Sequence, residues 1–352
     1  MKTQVFDLKT EYEQGMDAAA EAIRSGRLAI FPTETVYGLG ADALNPQAVS
    51  GIFSAKGRPQ DNPLIVHIAD MSQAEQAAAE ISPLARKLME AFWPGPFTAV
   101  LKKQAVIPDC VSAGLDTVGI RMPASEDARE LIRRSGKMIA APSANLSGKP
   151  SPTRASHCIE DMMGRVEVIL DGGAADYGVE STVCDLTGEI PLILRPGGVT
   201  AEMIREIAGD VRVAEAVLGG LKEGEKAASP GMKYTHYSPK AKVVIVEAET
   251  PASLAICMNL LYDKDIASQK TPLILCADAS EGLFGRRSHR CIGADEREIA
   301  HSFFDELRKA DEAGYDRIYF EATSIGGMGL AVMNRAIRAA GFDVIRAEEY
   351  IR

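Results

Sequence analysis

The chain has 352 residues, 46% of them hydrophobic and 25% charged, which is too long for one ordinary compact domain, comfortable for two, and too apolar for disorder. No run of 18 or more apolar residues occurs, which excludes a spanning helix, and residues 1–7 carry no apolar signal-peptide core, so a cytoplasmic location without membrane contact is expected. A formal net charge of −10 argues against indiscriminate nucleic-acid binding, which rests on cationic neutralisation of phosphates, but leaves room for a local basic cleft.

In chain order, short apolar runs predict strands at 28–31, 64–69, 97–101, 118–122, 138–141, 166–170, 181–186 and 192–194. Val49, Ile52 and Phe53 lie at helical spacing after an Asn-Pro start and predict a helix over 46–55; 83–92 and 126–133 read the same way. Many strands with interspersed helices, some strands adjacent, predict a mixed α/β sheet rather than a regular βαβ wheel. The pattern breaks over 209–238, where a glycine-rich charged run, 218–226, and Ser229-Pro230-Gly231 read as an interdomain linker. A second alternation follows: strand 242–247, helix 251–261, strand 272–276, helix 295–310, strand 317–321, helix 330–340, strand 343–347. It predicts a compact doubly wound α/β unit. The six cysteines are scattered without a CxxC pair and read as buried reduced thiols, not as a zinc or disulfide framework.

There is no P-loop and no GxGxxG after the first strand. Gly326-Gly327-Met328-Gly329 sits between a strand and a helix; a tight turn is the favoured reading, with a small-molecule site at the helix N-terminus as the alternative. More informative are polar residues set into apolar strands. The period of two puts Val118, Ile120 and Met122 on one face and leaves Arg121 with Gly119 on the other. Arg195 ends a strand before a glycine turn, and His67 interrupts Leu64-Ile65-Val66-His67-Ile68. A guanidinium on a sheet face is costly unless an anion or a good hydrogen-bond partner meets it. Each alone fits a structural ion pair equally well; two arginines and a histidine together favour an anion pocket.

Lys56-Gly57-Arg58 follows a helix and leads into a Gly/Pro-rich loop, which suits either a solvated helix C-terminus or a phosphate-gripping loop. Ser143-Ala144-Asn145, after the strand 138–141, offers hydroxyl, amide and backbone N–H groups suited to a nucleotide, or an ordinary polar loop. Thr33-Glu34-Thr35 places hydroxyls and a carboxylate just after the first strand, where α/β sheets keep their sites.

Taken in order, Pro32-Thr33-Glu34-Thr35-Val36-Tyr37-Gly38-Leu39, Lys56-Gly57-Arg58 and Ser143-Ala144-Asn145 resemble the KxR…SxN signature of the threonylcarbamoyl-AMP synthases, the YrdC-like family. The linker and trailing α/β unit resemble its larger two-domain members, and the resemblance covers essentially the whole chain. It implies a YrdC-like mixed twisted sheet over 1–208, a flap over 209–240 covering the active site, and a smaller Rossmann-like domain over 241–352. The implied reaction joins L-threonine, bicarbonate or CO2, and ATP into threonylcarbamoyl-AMP and pyrophosphate, with Mg2+ arriving on ATP rather than in a resident metal site. The product would pass to machinery that modifies tRNA.

Position by position, the resemblance implies that Thr35, His67, Arg121, Ala141 and Ser181 hold L-threonine, with Arg121 on its carboxylate and His67 near its side-chain hydroxyl. Lys56, Arg58, Asn62, Thr117, Ser143, Asn145, Ser151, Arg195 and Tyr234 would hold ATP or the adenylate, and Lys56, Arg58, Ser143 and Asn145 would form the catalytic signature. Glu34 is a candidate general base. Two rivals remain at this point. A carbamoyltransferase that makes a carbamoyl-adenylate would carry zinc-binding cysteine pairs and an acylphosphatase-like segment, which this sequence lacks. An RNA-binding or ribosome-maturation module would use a basic face, against which the charge and the lack of a basic stretch with interleaved aromatics count; a weak RNA contact stays compatible.

Overall fold

A computed structural model describes residues 2–219 and 237–352. By its internal contacts the chain divides into two compact units, Met1–Ser147 with Ser151–Tyr234, and Gly148–Pro150 with Thr235–Arg352. Among the described residues no helix is long and apolar enough to cross a membrane.

The first unit is built on strands β1 (Gln4–Asp7), β2 (Ala29–Phe31), β3 (Gly38–Asp42), β4 (Ile65–His67), β5 (Phe97–Lys102), β6 (Thr117–Arg121), β7 (Ile139–Ala141), β8 (Val168–Asp171), β9 (Thr182–Asp185), β10 (Leu192–Arg195) and β11 (Arg212–Val213). They form one mixed sheet in the order β1-β8-β2-β3-β7-β4-β6-β5-β9-β10-β11. Residues 212–213, within the stretch expected to be linker, pair in parallel with β10 as its edge strand.

Register gives this sheet two unlike faces. Ala140, Val66, Ile120, Ala99, Cys184 and Ile193 stand side by side across six strands and all belong to the main apolar core. Because side chains alternate, the residues between them fall on the opposite face. There Ile65, Val100, Val183 and Leu194 form only a small separate cluster. The same alternation puts His67, Arg121 and Thr98 on that second face, along with Ile139 and Ala141 of β7, which pack under the helices Tyr12–Arg24 and Glu126–Ser135.

The helices are set by local chemistry. Asn45 caps Pro46–Lys56 by accepting from the N–H groups of Gln47 and Ala48, with proline in the first turn, and Gly57 ends the helix in the left-handed region at φ 62°. Ser82 caps Pro83–Phe92, and Ser125 caps Glu126–Ser135. The first helix, Tyr12–Arg24, has no side-chain cap and buries the small residues Gly15, Ala19, Ala20 and Ala22.

The second unit is a parallel sheet of β12 (Lys242–Glu247), β13 (Pro272–Cys276), β14 (His289–Cys291), β15 (Arg317–Glu321) and β16 (Val344–Arg346), in the order β14-β13-β15-β12-β16. Three of its strands run over the predicted residues, and β14 was not anticipated. The helices Pro251–Ala267 and Glu296–Glu312 extend beyond their predicted ends, and Gly327–Ala339 begins three residues early. The doubly wound arrangement itself stands as expected.

Candidate active site

Strands β4 and β6 run parallel with His67 paired in register to Arg121, so both residues stand at carboxyl ends of neighbouring strands. Arg121 is buried, and its guanidinium is met from three sides. Nη2 donates to Glu34 Oε1 at 2.6 Å, Nη1 to Thr35 Oγ1 at 2.9 Å and Nε to the Gly95 carbonyl at 3.3 Å. The loop supplying two of these partners is held by its own hydroxyl: Thr33 Oγ1 donates to the Val36 carbonyl at 2.6 Å and accepts from the Thr35 and Val36 N–H groups.

Burial pushes the Glu34 carboxyl up, but the Arg121 charge and hydrogen bonds outweigh it, so its pKa is lowered and the group stays ionised. A carboxylate engaged in this way is a poor proton acceptor. Its chemistry suits an orienting partner of Arg121 better than the general base considered from sequence.

His67 carries the opposite perturbation. Burial, and then the Arg121 charge, push its pKa down to about 3, so the imidazole is neutral across the physiological range. Its Nδ1 lies 3.2 Å from the Ile65 carbonyl, and the Phe31 ring meets it edge-on at 6.0 Å between centroids. Hydrogen bonding from Nδ1–H to that carbonyl leaves Nε2 as an acceptor.

The sequence-separated signature converges into one network. The Lys56 ammonium, at the C-terminus of its helix, donates to the carbonyls of Ser143 and Asn145, the latter at 2.6 Å, and lies 3.4 Å from Asn145 Oδ1. Ser143 Oγ donates to Asn145 Oδ1 at 2.6 Å. Burial, then the Arg58 charge, lower the Lys56 pKa well below the usual range. Lys56 therefore fastens the Ser143-Ala144-Asn145 loop, which is tied in turn to the Thr35 loop where Ala144 N–H donates to the Tyr37 carbonyl at 2.9 Å. Arg58 donates from Nη2 to the carbonyl of Asn62, a buried residue, at 3.1 Å, across the loop that follows.

A second polar group forms where β5, β10 and the residue preceding β9 meet. Arg195 donates to the Ser181 carbonyl at 3.1 Å and to Ser181 Oγ at 3.2 Å, while Ser181 and Thr98 hydroxyls are 2.8 Å apart. Next along the chain, Glu180 accepts from Ser151 Oγ at 2.5 Å. Ala141 lies in register with Ile65 on β4. Thr117 stands apart: four residues before Arg121 on the same strand, it is roughly 13 Å away. There it lines a small recess with Pro63, Ile65, Gly119 and Val183. Tyr234 lies outside the described residues. Thr98 and Glu180 were missed from sequence; Thr98 carries the same signal as Arg121, a polar residue alternating into an apolar strand, whereas Glu180 carries none.

This arrangement, a mixed α/β sheet with its polar clusters at strand ends and a parallel α/β unit behind it in sequence, defines a two-domain protein of the YrdC type. Residues 21–197 match the Sua5/YciO/YrdC family, described as telomere recombination, and residues 199–341 match the family described as threonylcarbamoyl-AMP synthase, C-terminal domain. The threonylcarbamoyl-AMP synthase of Pyrococcus abyssi is 48% identical over 330 residues, 93% of this chain and 94% of that one. The Bacillus subtilis threonylcarbamoyl-AMP synthase is 45% identical over 344 residues, 97% and 96% of the two chains. The crystal structure of P. abyssi Sua5 complexed with L-threonine superimposes with a TM-score of 0.92 at 45% identity, covering 98% of this chain and 99% of that one. The chain belongs to the threonylcarbamoyl-AMP synthase family.

Two outcomes follow from the geometry. Unfolded His67 titrates near 6.5 and the folded residue near 3, so the unfolded state binds the extra proton between those values and stability falls as pH drops through that window. Urea denaturation should find wild type losing on the order of 1 kcal/mol more per pH unit there than His67→Gln; parallel curves would mean that the imidazole protonates freely in the fold. A Cβ at Gly197 would lie 2.3 Å from the Thr182 nitrogen and 2.6 Å from the Glu180 carbonyl oxygen. Gly197→Ala should therefore cost about 1–3 kcal/mol of stability, and an unchanged urea midpoint would show that this turn yields at no cost.

Proposed function

We infer that the chain condenses L-threonine, bicarbonate and ATP into threonylcarbamoyl-AMP, releasing pyrophosphate and water, as the activated precursor for a tRNA modification. The observation that carries this reading is the buried cradle of Arg121, Glu34 and Thr35 at the ends of β4 and β6, in a chain of this family whose archaeal relative was crystallised with L-threonine.

L-Threonine is held by Thr35, His67, Arg121, Ala141 and Ser181. A guanidinium has five N–H donors, and the three bonds to Glu34, Thr35 and Gly95 leave one on each terminal nitrogen, the pair that fits a carboxylate fork. A neutral His67 hydrogen-bonds the substrate hydroxyl without adding charge. ATP, bringing Mg2+ on its phosphate oxygens, is held by Lys56, Arg58, Asn62, Thr117, Ser143, Asn145, Ser151 and Arg195, and by Tyr234 from a flap within 209–240 that separates a catalytic domain, 1–208, from a C-terminal domain, 241–352.

The threonine amine adds to the carbon of CO2 or bicarbonate to form a carbamate. A carbamate oxygen then bonds to the α-phosphorus as the bond to pyrophosphate breaks. The protein's share is orientation and charge compensation: Arg121, aimed by Glu34, fixes the amino acid, while Arg58 and Arg195 offset phosphate charge. The adenylate then passes to a transferase that acts on tRNA.

Purified protein given MgATP, bicarbonate and L-threonine should release pyrophosphate only when all are present and yield a labile threonine-containing adenylate by mass spectrometry. Release without threonine would indicate another acceptor, and salt-dependent RNA binding without turnover would favour the non-enzymatic reading. Arg121→Ala should lower kcat/KM for threonine by about 2–5 kcal/mol of transition-state stabilisation while KM for ATP changes little. Equal losses for both substrates would make Arg121 a structural residue only.

A further inference from the structure

The second unit contains a cavity of about 280 Å³ that the reaction above does not use. Its position follows from strand order. From β13 the chain moves outward to β14 on one side, and from β15 it moves to β16 on the other, so the connections leave these neighbouring strands in opposite directions. Such a switch point opens a crevice at the carboxyl ends of the two strands, and ligands of open α/β sheets bind there. The cavity lies at that place, with Cys276 and Glu321, the last residues of β13 and β15, in its wall.

The lining determines what fits. Ile292, Ile299 and Phe320 give an apolar wall suited to a flat or aliphatic body. Cys276 adds a neutral thiol, its pKa pushed up by burial and by the neighbouring Cys291 sulfur 3.8 Å away. The charged lining residues are all acidic: Glu321, Asp295 and Glu296, with no lysine, arginine or histidine among them. Glu321 is held rigidly, Oε2 accepting from the Ala277 N–H at 2.9 Å and Oε1 from Ser280 Oγ at 2.8 Å. Each carboxylate oxygen keeps a further lone pair for a ligand donor. Asp295 is occupied in capping the helix Glu296–Glu312.

A phosphate or a free carboxylate would meet these three carboxylates without a compensating cation, which disfavours nucleotides and amino acids alike. A neutral body bearing hydroxyl donors meets no such penalty, and paired hydroxyls on a fixed strand-end carboxylate are the geometry by which open α/β sheets grip ribose. At about 280 Å³ the volume falls just below the roughly 300 Å³ from which ligand pockets run, so it takes a small body, of about nucleoside size. We propose that the crevice between β13 and β15 is a binding site for an unphosphorylated nucleoside, with the ribose hydroxyls on Glu321 and the base against Ile292, Ile299 and Phe320.

The test is hydrogen-exchange mass spectrometry on the full chain with adenosine, guanosine, cytidine and uridine, each beside its 5′-monophosphate. Reading peptides from both units separates this crevice from any nucleotide bound by the first. At least one nucleoside at millimolar concentration should protect residues 292–299 and 319–324, with its monophosphate weaker by on the order of tenfold or more. Glu321→Gln should weaken that protection on the order of tenfold. Because Glu321 also holds Ala277 and Ser280, a second variant is needed: Ala294→Trp, at the exposed rim, should abolish the protection while the melting temperature and pyrophosphate release stay as in wild type. The proposal is overturned if no nucleoside protects these segments, if monophosphates protect them equally, or if Ala294→Trp leaves the protection intact.

Discussion

The first unit is organised around one buried cation. A guanidinium sequestered from water costs several kcal/mol unless its donors are met, and Arg121 is met by groups from two separate places: Glu34 and Thr35 on the loop after β2, and the Gly95 carbonyl in the segment before β5. That requirement fixes the Thr33–Val36 turn, which in turn receives the Ser143 loop and, through it, the Lys56 network. Replacing such an ion pair by apolar residues of similar volume is often neutral or stabilising. The pair is therefore weak evidence for stability, and on the proposed function its use lies in the donors left for a carboxylate.

Sheet parity makes this affordable. The line of Ala140, Val66, Ile120, Ala99, Cys184 and Ile193 gives the core a continuous apolar surface, so the opposite face of the same strands carries only smaller apolar clusters and has room for polar residues between them. Polar residues can then sit at alternate positions without breaking a strand. A slip of one residue in the pairing of β4 with β6 would carry Arg121 into the core and Ile120 out of it. The register is thus protected by the same contrast that creates the site.

This contrast is also what made the site legible. Arg121 and His67 stand out because they violate an otherwise apolar alternation, and the helix Pro83–Phe92 is readable because Ser82 and Pro83 supply cap and first turn in sequence. Other elements carry no such local mark. The strand Gly38–Asp42 was not anticipated, its two glycines giving no strand signal, yet at Gly40 a Cβ would lie 2.7 Å from Ile139 Cγ2 and 2.9 Å from the Phe31 ring. Glycine is there because neighbouring side chains fill the space, a fact only the fold reveals. Likewise β1 is a short, largely exposed edge strand, and the helix Tyr12–Arg24 has no side-chain cap and buries several alanines. The pairing of Glu34 with Arg121 spans 87 residues, and no periodicity encodes it.

The electrostatic balance of the cradle bears on the amino-acid binding proposed for it. With Glu34 ionised and His67 neutral, the pair Glu34–Arg121 carries no net charge before substrate arrives. On the role proposed for Arg121, a zwitterion adds none either, so its carboxylate would meet the two remaining N–H groups without burying a net charge. Had His67 been protonated, the same pocket would hold an excess cation and favour an anion over a zwitterion. The depressed histidine pKa is caused chiefly by burial and then by Arg121 itself. The arginine proposed to grip the carboxylate therefore adds to the burial that keeps its neighbour neutral, so on that reading one buried charge bears on both the affinity and the selectivity of the site.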